Sequence, residues 1–204
     1  MSMKAEGRVG TIDAASGSLN TLRTARDGSL VTQVGGGRYI EAARSGRLFS
    51  VANQAATATT VTLNTNWQGL GVGNPTGSGK NLVMLEFGWA MSVVGSAAGA
   101  VGLAIASHES THGAVITIKA AMNGTGSSIA YADNDVDPTG TQTLIRLCGT
   151  IGTGATTTQI AVPQSIYDIG GSIIIPPGRA IYTYTTAATT AGAVFFFLWE
   201  EIDE

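Results

Sequence analysis

Residues 193–202 read Ala-Val-Phe-Phe-Phe-Leu-Trp-Glu-Glu-Ile, and this stretch decides the fold class. A strand with one face in water alternates apolar and polar side chains, whereas seven consecutive residues here are apolar. The run is also far shorter than the ~20 apolar residues of a membrane-spanning helix. We therefore predict a central β-strand that is covered on both faces, with its acidic end, residues 200–204, emerging into water.

Similar short runs recur along the preceding chain. They are rich in β-branched residues and are separated by Gly, Asn, Asp or Pro, which mark turns. One of them must stop at Pro176, because proline has no N–H to donate to a sheet. No run has the period of an amphipathic helix, and the pattern predicts an all-β protein, an antiparallel sandwich or barrel. The further candidate strands are residues 47–52, 57–63, 81–94, 101–106, 114–121, 144–151, 157–162, 172–175 and 180–185.

Charged residues are scarce, at 12% of the chain against about 25% in an average protein. Soluble surfaces tend toward roughly 25–35% charged residues. Strands with few charges also aggregate when their edges are left open. We therefore expect much of the surface to be covered by further copies of this chain or by a partner.

The charge is unevenly placed along the chain. Residues 1–47 hold seven basic and four acidic residues, a net charge of +3, whereas residues 48–204 hold four basic and ten acidic residues, a net charge of −6. The first part also lacks apolar periodicity. We predict an N-terminal arm over residues 1–45 and a β-sandwich domain over residues 46–204. Three interpretations of the arm stay open: a flexible leader or irregular hairpin, an extended arm that orders on a neighbouring subunit, and a nucleic-acid contact, which the four acids disfavour.

The single cysteine, Cys148, lies in an apolar run and cannot form an intrachain disulfide. We interpret it as a buried small apolar residue rather than a reactive thiol. Residues 1–6 lead into polar sequence instead of the apolar run of a signal peptide. We therefore expect assembly in a cytoplasm. No run reaches the ~20 apolar residues of a membrane-spanning helix, so we expect no membrane span.

The segment from His108 to His112 matches the H-E-x-x-H pattern of zinc proteases, with Glu109 in the position of the base. In those enzymes both imidazoles reach one metal because residues i and i+4 share a helix face. Here the segment lies between two strand-like runs, so we predict a hairpin loop. The chain holds no third histidine, and a zinc enzyme that uses His108 and His112 is a distant alternative.

Residues 73–80 look like a phosphate-binding P-loop. The match fails because Asn74 stands where the first glycine is needed and Asn81, not Ser or Thr, follows Lys80. A strand-like run comes next instead of the helix whose N-terminal amides hold phosphate. We predict a glycine-rich turn.

Three carboxylates, Asp133, Asp135 and Asp137, gather just before Pro138. Oxygen ligands of this kind bind Ca²⁺, but an EF-hand loop needs Gly where Pro138 stands and Glu where Leu144 stands. We interpret the segment as a solvated acidic loop, with a non-standard surface Ca²⁺ site as the alternative.

Four phrases of the sequence carry a resemblance to a known group of proteins: Gly-Arg-Tyr-Ile-Glu-Ala at 37–42, Gly-Arg-Leu-Phe-Ser-Val-Ala-Asn-Gln at 46–54, Asn-Pro-Thr-Gly-Ser-Gly-Lys-Asn-Leu at 74–82 and Phe-Leu-Trp-Glu-Glu at 197–201. From about residue 37 onward the chain resembles the small virion proteins of tailed bacteriophages that decorate or cement a capsid. The resemblance implies a jelly-roll β-sandwich, a homotrimer on the capsid exterior, and the major capsid protein as partner. It carries over no catalytic residue, cofactor or metal ligand, so we expect a non-enzymatic virion protein with no membrane or nucleic-acid partner.

The alternative function is a virion protein of the tail, fibre or baseplate with a host-glycan-binding face. Its best candidate residue is Trp67, which lies in the loop-like segment 64–69 beside asparagines. The simpler interpretation of Trp67 is an aromatic side chain packed at an interface.

Overall fold

The computed structural model describes residues 6–8, 19–21, 38–59, 67–92, 99–107, 115–121, 127–136, 139–151 and 165–204. The chain divides into two compact units, residues 1–40 and 41–204. In the first unit, β1 (Glu6–Arg8) and β2 (Leu19–Thr21) pair as a two-stranded antiparallel sheet. Most of the predicted arm, residues 1–45, lies outside the described residues, so its extended form stays a prediction.

The second unit consists mainly of strands. The short helix α1 (Ile40–Arg44) ends where Gly46 adopts a left-handed conformation with φ of 69°. Within the described ranges, no helix is long and apolar enough to cross a membrane. The strands are β3 (Leu48–Ala52), β4 (Thr57–Thr59), β5 (Trp67–Asn74), β6 (Lys80–Met91), β7 (Gly99–Ser107), β8 (Lys119–Ala120), β9 (Tyr131–Val136), β10 (Thr139–Ile151), β11 (Ser165–Ile175), β12 (Arg179–Thr185) and β13 (Thr189–Asp203).

The strands of this unit form two antiparallel sheets. One has the order β10-β7-β12-β5-β9 and the other β11-β6-β13-β3-β8, with β4 also paired to β13. Eight strands pair in a nested way: β3 with β13, β5 with β12, β6 with β11, and β7 with β10. The chain is thus one long antiparallel hairpin, rolled up so that β13 also pairs with β6 and β12 with β7. This arrangement is a double-sheet jelly roll, and it confirms the predicted all-β, jelly-roll-like antiparallel sandwich.

The segment between β7 and β10 closes one side of the sandwich. β8 pairs with β3 at the edge of one sheet, and β9 pairs with β5 at the edge of the other. Residues 115–121 reach both sheets, because Val115 bridges to Asp133 on β9 while β8 lies against β3. On the opposite side, β10 and β11 are the sheet edges.

The aromatic strand β13 lies between β6 and β3, in the middle of its sheet as predicted. Phe195, Phe197 and Trp199 point into the sandwich and are at most 1% exposed. The Phe87 ring lies 6.3 Å from that of Phe195 and 5.2 Å from that of Phe197, centroid to centroid. Burial of each such side chain contributes about 1.5–3 kcal/mol, so β13 supplies a large share of the core. Phe196, on the outer face, is partly exposed.

The prediction that the acidic end of β13 emerges into water is wrong for Glu201, which is 1% exposed. This residue continues the inward alternation of the strand, so its side chain faces the core and needs polar partners. Its carboxylate accepts hydrogen bonds from the Ser128 hydroxyl and, at 3.1 Å, from the Ile129 N–H, and Lys80 Nζ lies 4.0 Å away. Glu201 therefore ties residues 127–130 to the last strand.

Two strands, β5 and β9, occupy segments that the sequence assigns partly to loops and nowhere to a strand. Three of the eight residues of β5, at positions 69, 71 and 73, are glycine, a poor strand former. Tyr131 of β9 packs over Gly73 so closely that an added Cβ would lie 1.9 Å from its ring. Conversely, residues 114–121 are not the predicted full strand, and in the described part they form only β8 and the bridge at Val115. Three predicted stretches lie outside the described residues: 60–63, 93–94 and 157–162. The other predicted runs overlap strands of the structure, namely β3, β4, β6, β7, β10, β11, β12 and β13.

A glycine substitution tests the packing of the outer face of β13. Phe196 stands directly opposite Gly88, and a Cβ at residue 88 would lie 1.9 Å from the phenylalanine ring. We expect Gly88→Ala to lower the free energy of unfolding by about 1–3 kcal/mol, measured by denaturant titration, because the ring must leave its place. In a Phe196→Ala background the same change should be nearly neutral. An equal loss in both backgrounds would show that the ring contact is not the cause.

Candidate interaction surface

The edge strands β10 and β11 belong to different sheets and meet on one side of the sandwich. The guanidinium of Arg146 on β10 donates a hydrogen bond to the Ser172 hydroxyl on β11 at 3.0 Å. The same guanidinium lies 5.8 Å from the centre of the Tyr167 ring, which is within cation–π range. Arg146 therefore joins the two sheet edges, which have no backbone pairing with each other in the described parts of β10 and β11.

Large apolar side chains are exposed on these two strands. Of the six most exposed in the described residues, five lie on β10 and β11, and the sixth, Val115, lies on the opposite side of the sandwich. Leu144 and Leu147 lie beside Gly102 on the outer face of one sheet, whereas Ile166 stands opposite Gly88 and Ile174 opposite Val83 on the outer face of the other. Exposed apolar residues at the edges of both sheets are candidates for contact with a neighbouring molecule. We call the five the edge surface: Leu144 (40% exposed), Ile145 (37%), Leu147 (57%), Ile166 (61%) and Ile174 (53%).

Irregular pairing explains why apolar residues face outward here. The pairing of β10 with β7 shifts register between Leu144 and Arg146 and again between Leu147 and Gly149. Each shift inserts an extra residue, so the inward and outward alternation of side chains is broken. Gly102 on β7 permits the bulge, since a Cβ there would lie 2.4 Å from the Arg146 carbonyl oxygen. Bulged edges resist the addition of another strand, so this surface offers side chains rather than a row of free backbone groups.

A groove of about 350 Å³ runs between β10 and β11. Its apolar wall includes Ile145, Ile173 and Pro176, and its polar lining includes the guanidinium groups of Arg146 and Arg179. Residues 48–204 hold only four basic residues in total. Half of the basic side chains of this otherwise acidic part of the chain therefore lie at one groove beside the edge surface.

The thiol of Cys148, on β10, is half-buried and packs against the core. Burial raises the pKa of Cys148 from its ordinary value of 9.0 to about 11, and the nearby Arg146 guanidinium opposes this rise. The thiol is therefore neutral at physiological pH. It behaves as the small apolar residue that the sequence indicates.

Asn74 stands where a P-loop would need its first glycine. Its side chain links three strands by hydrogen bonds. This residue is fully buried and ends β5. Its amide nitrogen donates to the carbonyl oxygens of Lys80 at 2.7 Å and Ile175 at 2.9 Å, and its amide oxygen accepts from the Ser78 hydroxyl at 2.6 Å. Residues 75–79 turn the chain from one sheet into the other, and β6 follows, so the predicted glycine-rich turn is confirmed. The sequence shows no signal for the buried amide.

The predicted acidic loop is wrong where the structure describes it. Asp133 is fully buried and lies with Asp135 in β9, which pairs with β5. Asp137 lies outside the described residues. In the ranges that the structure describes, no group of three or more His, Cys, Asp or Glu side chains is placed to hold a metal ion.

Of the other predicted site residues, the structure describes Trp67 but not the histidine segment. His108, Glu109 and His112 lie outside the described residues, so the hairpin loop and the zinc alternative stay predictions. Trp67 begins β5 and is not in a loop, because β5 pairs with β9 from this residue onward.

Comparison with protein-family models, with curated proteins and with solved structures finds no match to this chain. Function is therefore inferred from the geometry of the chain itself.

Removal of the Asn74 amide should destabilise the turn between the sheets. We expect Asn74→Ala to lower the free energy of unfolding by about 2–4 kcal/mol, because two buried carbonyl oxygens and one hydroxyl lose their partner. Ser78→Ala, which removes one of these hydrogen bonds from a more exposed position, should cost about 1 kcal/mol or less. Denaturant titration of both variants measures the difference. Equal losses would contradict the central role of the amide.

The raised pKa of Cys148 predicts a stability loss at alkaline pH. The folded protein holds the thiol proton more tightly than the unfolded chain, so this contribution is fully present below pH 9.0 and is lost as the pH rises toward about 11. Thermal melts of the wild type and of Cys148→Ala between pH 8 and pH 11 measure it. We expect the wild type to lose more stability than the variant over this window, and parallel curves would contradict the assignment.

Proposed function

We propose that this chain is a non-enzymatic structural protein of a tailed-bacteriophage virion, a decoration or cement protein that binds the major capsid protein as a homotrimer. One observation carries the proposal. The edge surface concentrates exposed apolar side chains on two adjacent edge strands of a jelly roll. An apolar surface of this kind is stabilised when a protein neighbour covers it.

The fold is compatible with this proposal but also with other functions. Double-sheet jelly rolls occur in viral capsid proteins, but also in lectins and cupins, so function must be argued from surfaces rather than from topology. The low charge of the chain, 12%, adds support because a surface poor in charge suits a protein that stays within an assembly. The resemblance of several sequence phrases to capsid decoration proteins agrees with both observations.

The strength of the contact favours a lattice of many copies. Full burial of one apolar side chain contributes about 1.5–3 kcal/mol. The five residues of the edge surface are 37–61% exposed, so covering them contributes on the order of 5 kcal/mol. Association itself costs about 4–15 kcal/mol, so a single contact is weak. On a symmetric shell, many such contacts act together and hold by avidity.

The test is to locate the chain in particles. Virions produced from a genome that encodes this chain are purified, their proteins are identified by mass spectrometry, and the particles are imaged by electron cryomicroscopy. We expect density for the jelly roll on the outside of the capsid lattice, with β10 and β11 against protein. Absence of the chain from the particles, or its location only in the tail, would overturn the proposal.

A further inference from the structure

We infer that the groove between β10 and β11 binds a small aliphatic carboxylate, with Arg146 and Arg179 as the residues that hold its charged group. The site goes beyond the proposed function and does not depend on it, because a groove within the sandwich can bind a small molecule whichever particle the chain belongs to. Three properties of the groove indicate this ligand: its size, its apolar floor and its two cations.

The size of the groove fits a small molecule. Ligand pockets in proteins enclose roughly 300–1,000 Å³, and this groove encloses about 350 Å³. A protein partner would need a continuous surface of roughly 800 Å² instead. The exposed apolar side chains of β10 and of β11 lie on opposite outer faces of the sandwich, so they do not extend the groove into one larger surface. The groove by itself therefore suits a single small ligand.

The floor of the groove is apolar. Ile175 belongs to the core, and Ile105 and Ile173 pack against it. Ile105 lies on β7 of one sheet, while Ile173 and Ile175 lie on β11 of the other, so the floor spans the open edge between the two sheets. Water against such a floor finds few hydrogen-bond partners, and an aliphatic chain that displaces it is favoured by the hydrophobic effect. The body of the ligand is therefore aliphatic.

Two guanidinium groups give the groove a positive charge that the ligand must match. Arg146 on β10 and Arg179 at the start of β12 both line the groove. Among the residues that the structure describes, no carboxylate lines the groove, and neither arginine forms an ion pair. Arg179 is exposed and Arg146 is partly buried, so a ligand in the groove can reach both. The ligand therefore carries a negative group.

Contacts from β11 hold Arg146 in position before any ligand binds. The Ser172 hydroxyl accepts a hydrogen bond from the guanidinium at 3.0 Å and itself donates to the Ile169 carbonyl oxygen at 2.6 Å, while the Tyr167 ring lies 5.8 Å away. A guanidinium has five N–H donors, so the bond to Ser172 leaves the others available. A planar group that is already fixed loses little freedom when it binds a carboxylate through two parallel hydrogen bonds. An aliphatic carboxylate thus satisfies both the floor and the cations.

NMR titration of the full chain, labelled at its isoleucine methyl groups, tests the inference with hexanoate as the probe. We expect hexanoate to shift the signals of Ile105, Ile173 and Ile175 and to leave those of Ile116 and Ile118, on the opposite side of the sandwich, in place. Hexanamide keeps the chain without the charge, and acetate keeps the charge without most of the chain. Both should bind about tenfold more weakly than hexanoate or worse, because each lacks one of the two matches.

Three charge-removing variants assign the cations. Arg146→Gln and Arg179→Gln each remove one groove cation, and Lys119→Gln removes an exposed cation on β8 as the matched control. We expect each groove variant to raise the dissociation constant of hexanoate by about tenfold and that of hexanamide by less than about twofold. The control should change neither. The methyl spectrum shows whether a variant is folded, and Arg179→Gln, at an exposed site, keeps the test available if Arg146→Gln does not fold.

Four results would overturn the inference: no methyl shift even at a large excess of hexanoate, shifts confined to Ile116 and Ile118, equal affinity for hexanoate and hexanamide, or equal weakening by Lys119→Gln. Imaging of virions tests the proposed function separately. A chain that binds hexanoate in the groove but is absent from virions keeps the ligand site and loses the proposed function. A chain that lies on the capsid but binds no hexanoate gives the reverse result.

Discussion

The nested antiparallel pairing of eight strands is the constraint on which the rest of the structure depends. The first strand of the rolled hairpin, β3, pairs with the last, β13, and the pairing proceeds inward until β7 meets β10. Rolling brings β13 against β6 and β12 against β7, which places the aromatic strand at the centre of one sheet. The same rolling leaves β10 and β11, consecutive strands of the hairpin, as the outer edges of the two sheets.

The two sides of the sandwich therefore differ in how their edge strands are covered. On one side, the segment between β7 and β10 adds β8 and β9, and the buried Glu201 carboxylate fastens residues 127–130 to β13. On the other side, the edges end in bulges, exposed apolar side chains and two guanidinium groups. On the first side, other residues of the chain cover the sheet edges. On the second side, apolar side chains and guanidinium groups are exposed and can bind a neighbouring molecule.

Much of the fold could be predicted from the sequence because β-branched and aromatic runs are local signals. The seven apolar residues from 193 to 199 identify a central strand, and Pro176 marks a strand end that the structure keeps. β5 could not be predicted, since its strand character depends on a non-local partner: Tyr131 packs over Gly73 and replaces the side chain that the glycine lacks. Glu201 is similar, because Ser128 and Ile129 satisfy its carboxylate from a distant part of the chain.

The candidate surface was less accessible to prediction than the fold. The low charge predicts covered surfaces in general, but the alternation that would assign residues 144–148 to inside or outside is broken by bulges. Ile166 lies in the first half of β11, before the run from 172 that the sequence pattern identifies. The guanidinium groups of Arg146 and Arg179 likewise become neighbours only when the two edges are brought together.

The central claim is that the β10 and β11 edges are covered by a neighbouring molecule when the protein assembles. Hydroxyl-radical footprinting, which compares the dilute protein with the assembled protein, tests this claim most directly. The account predicts that Leu144, Leu147, Ile166 and Ile174 are oxidised in the dilute protein and protected on assembly, while Val115 reacts equally in both. Unchanged oxidation of the four edge residues, with protection elsewhere on the sandwich, would contradict it.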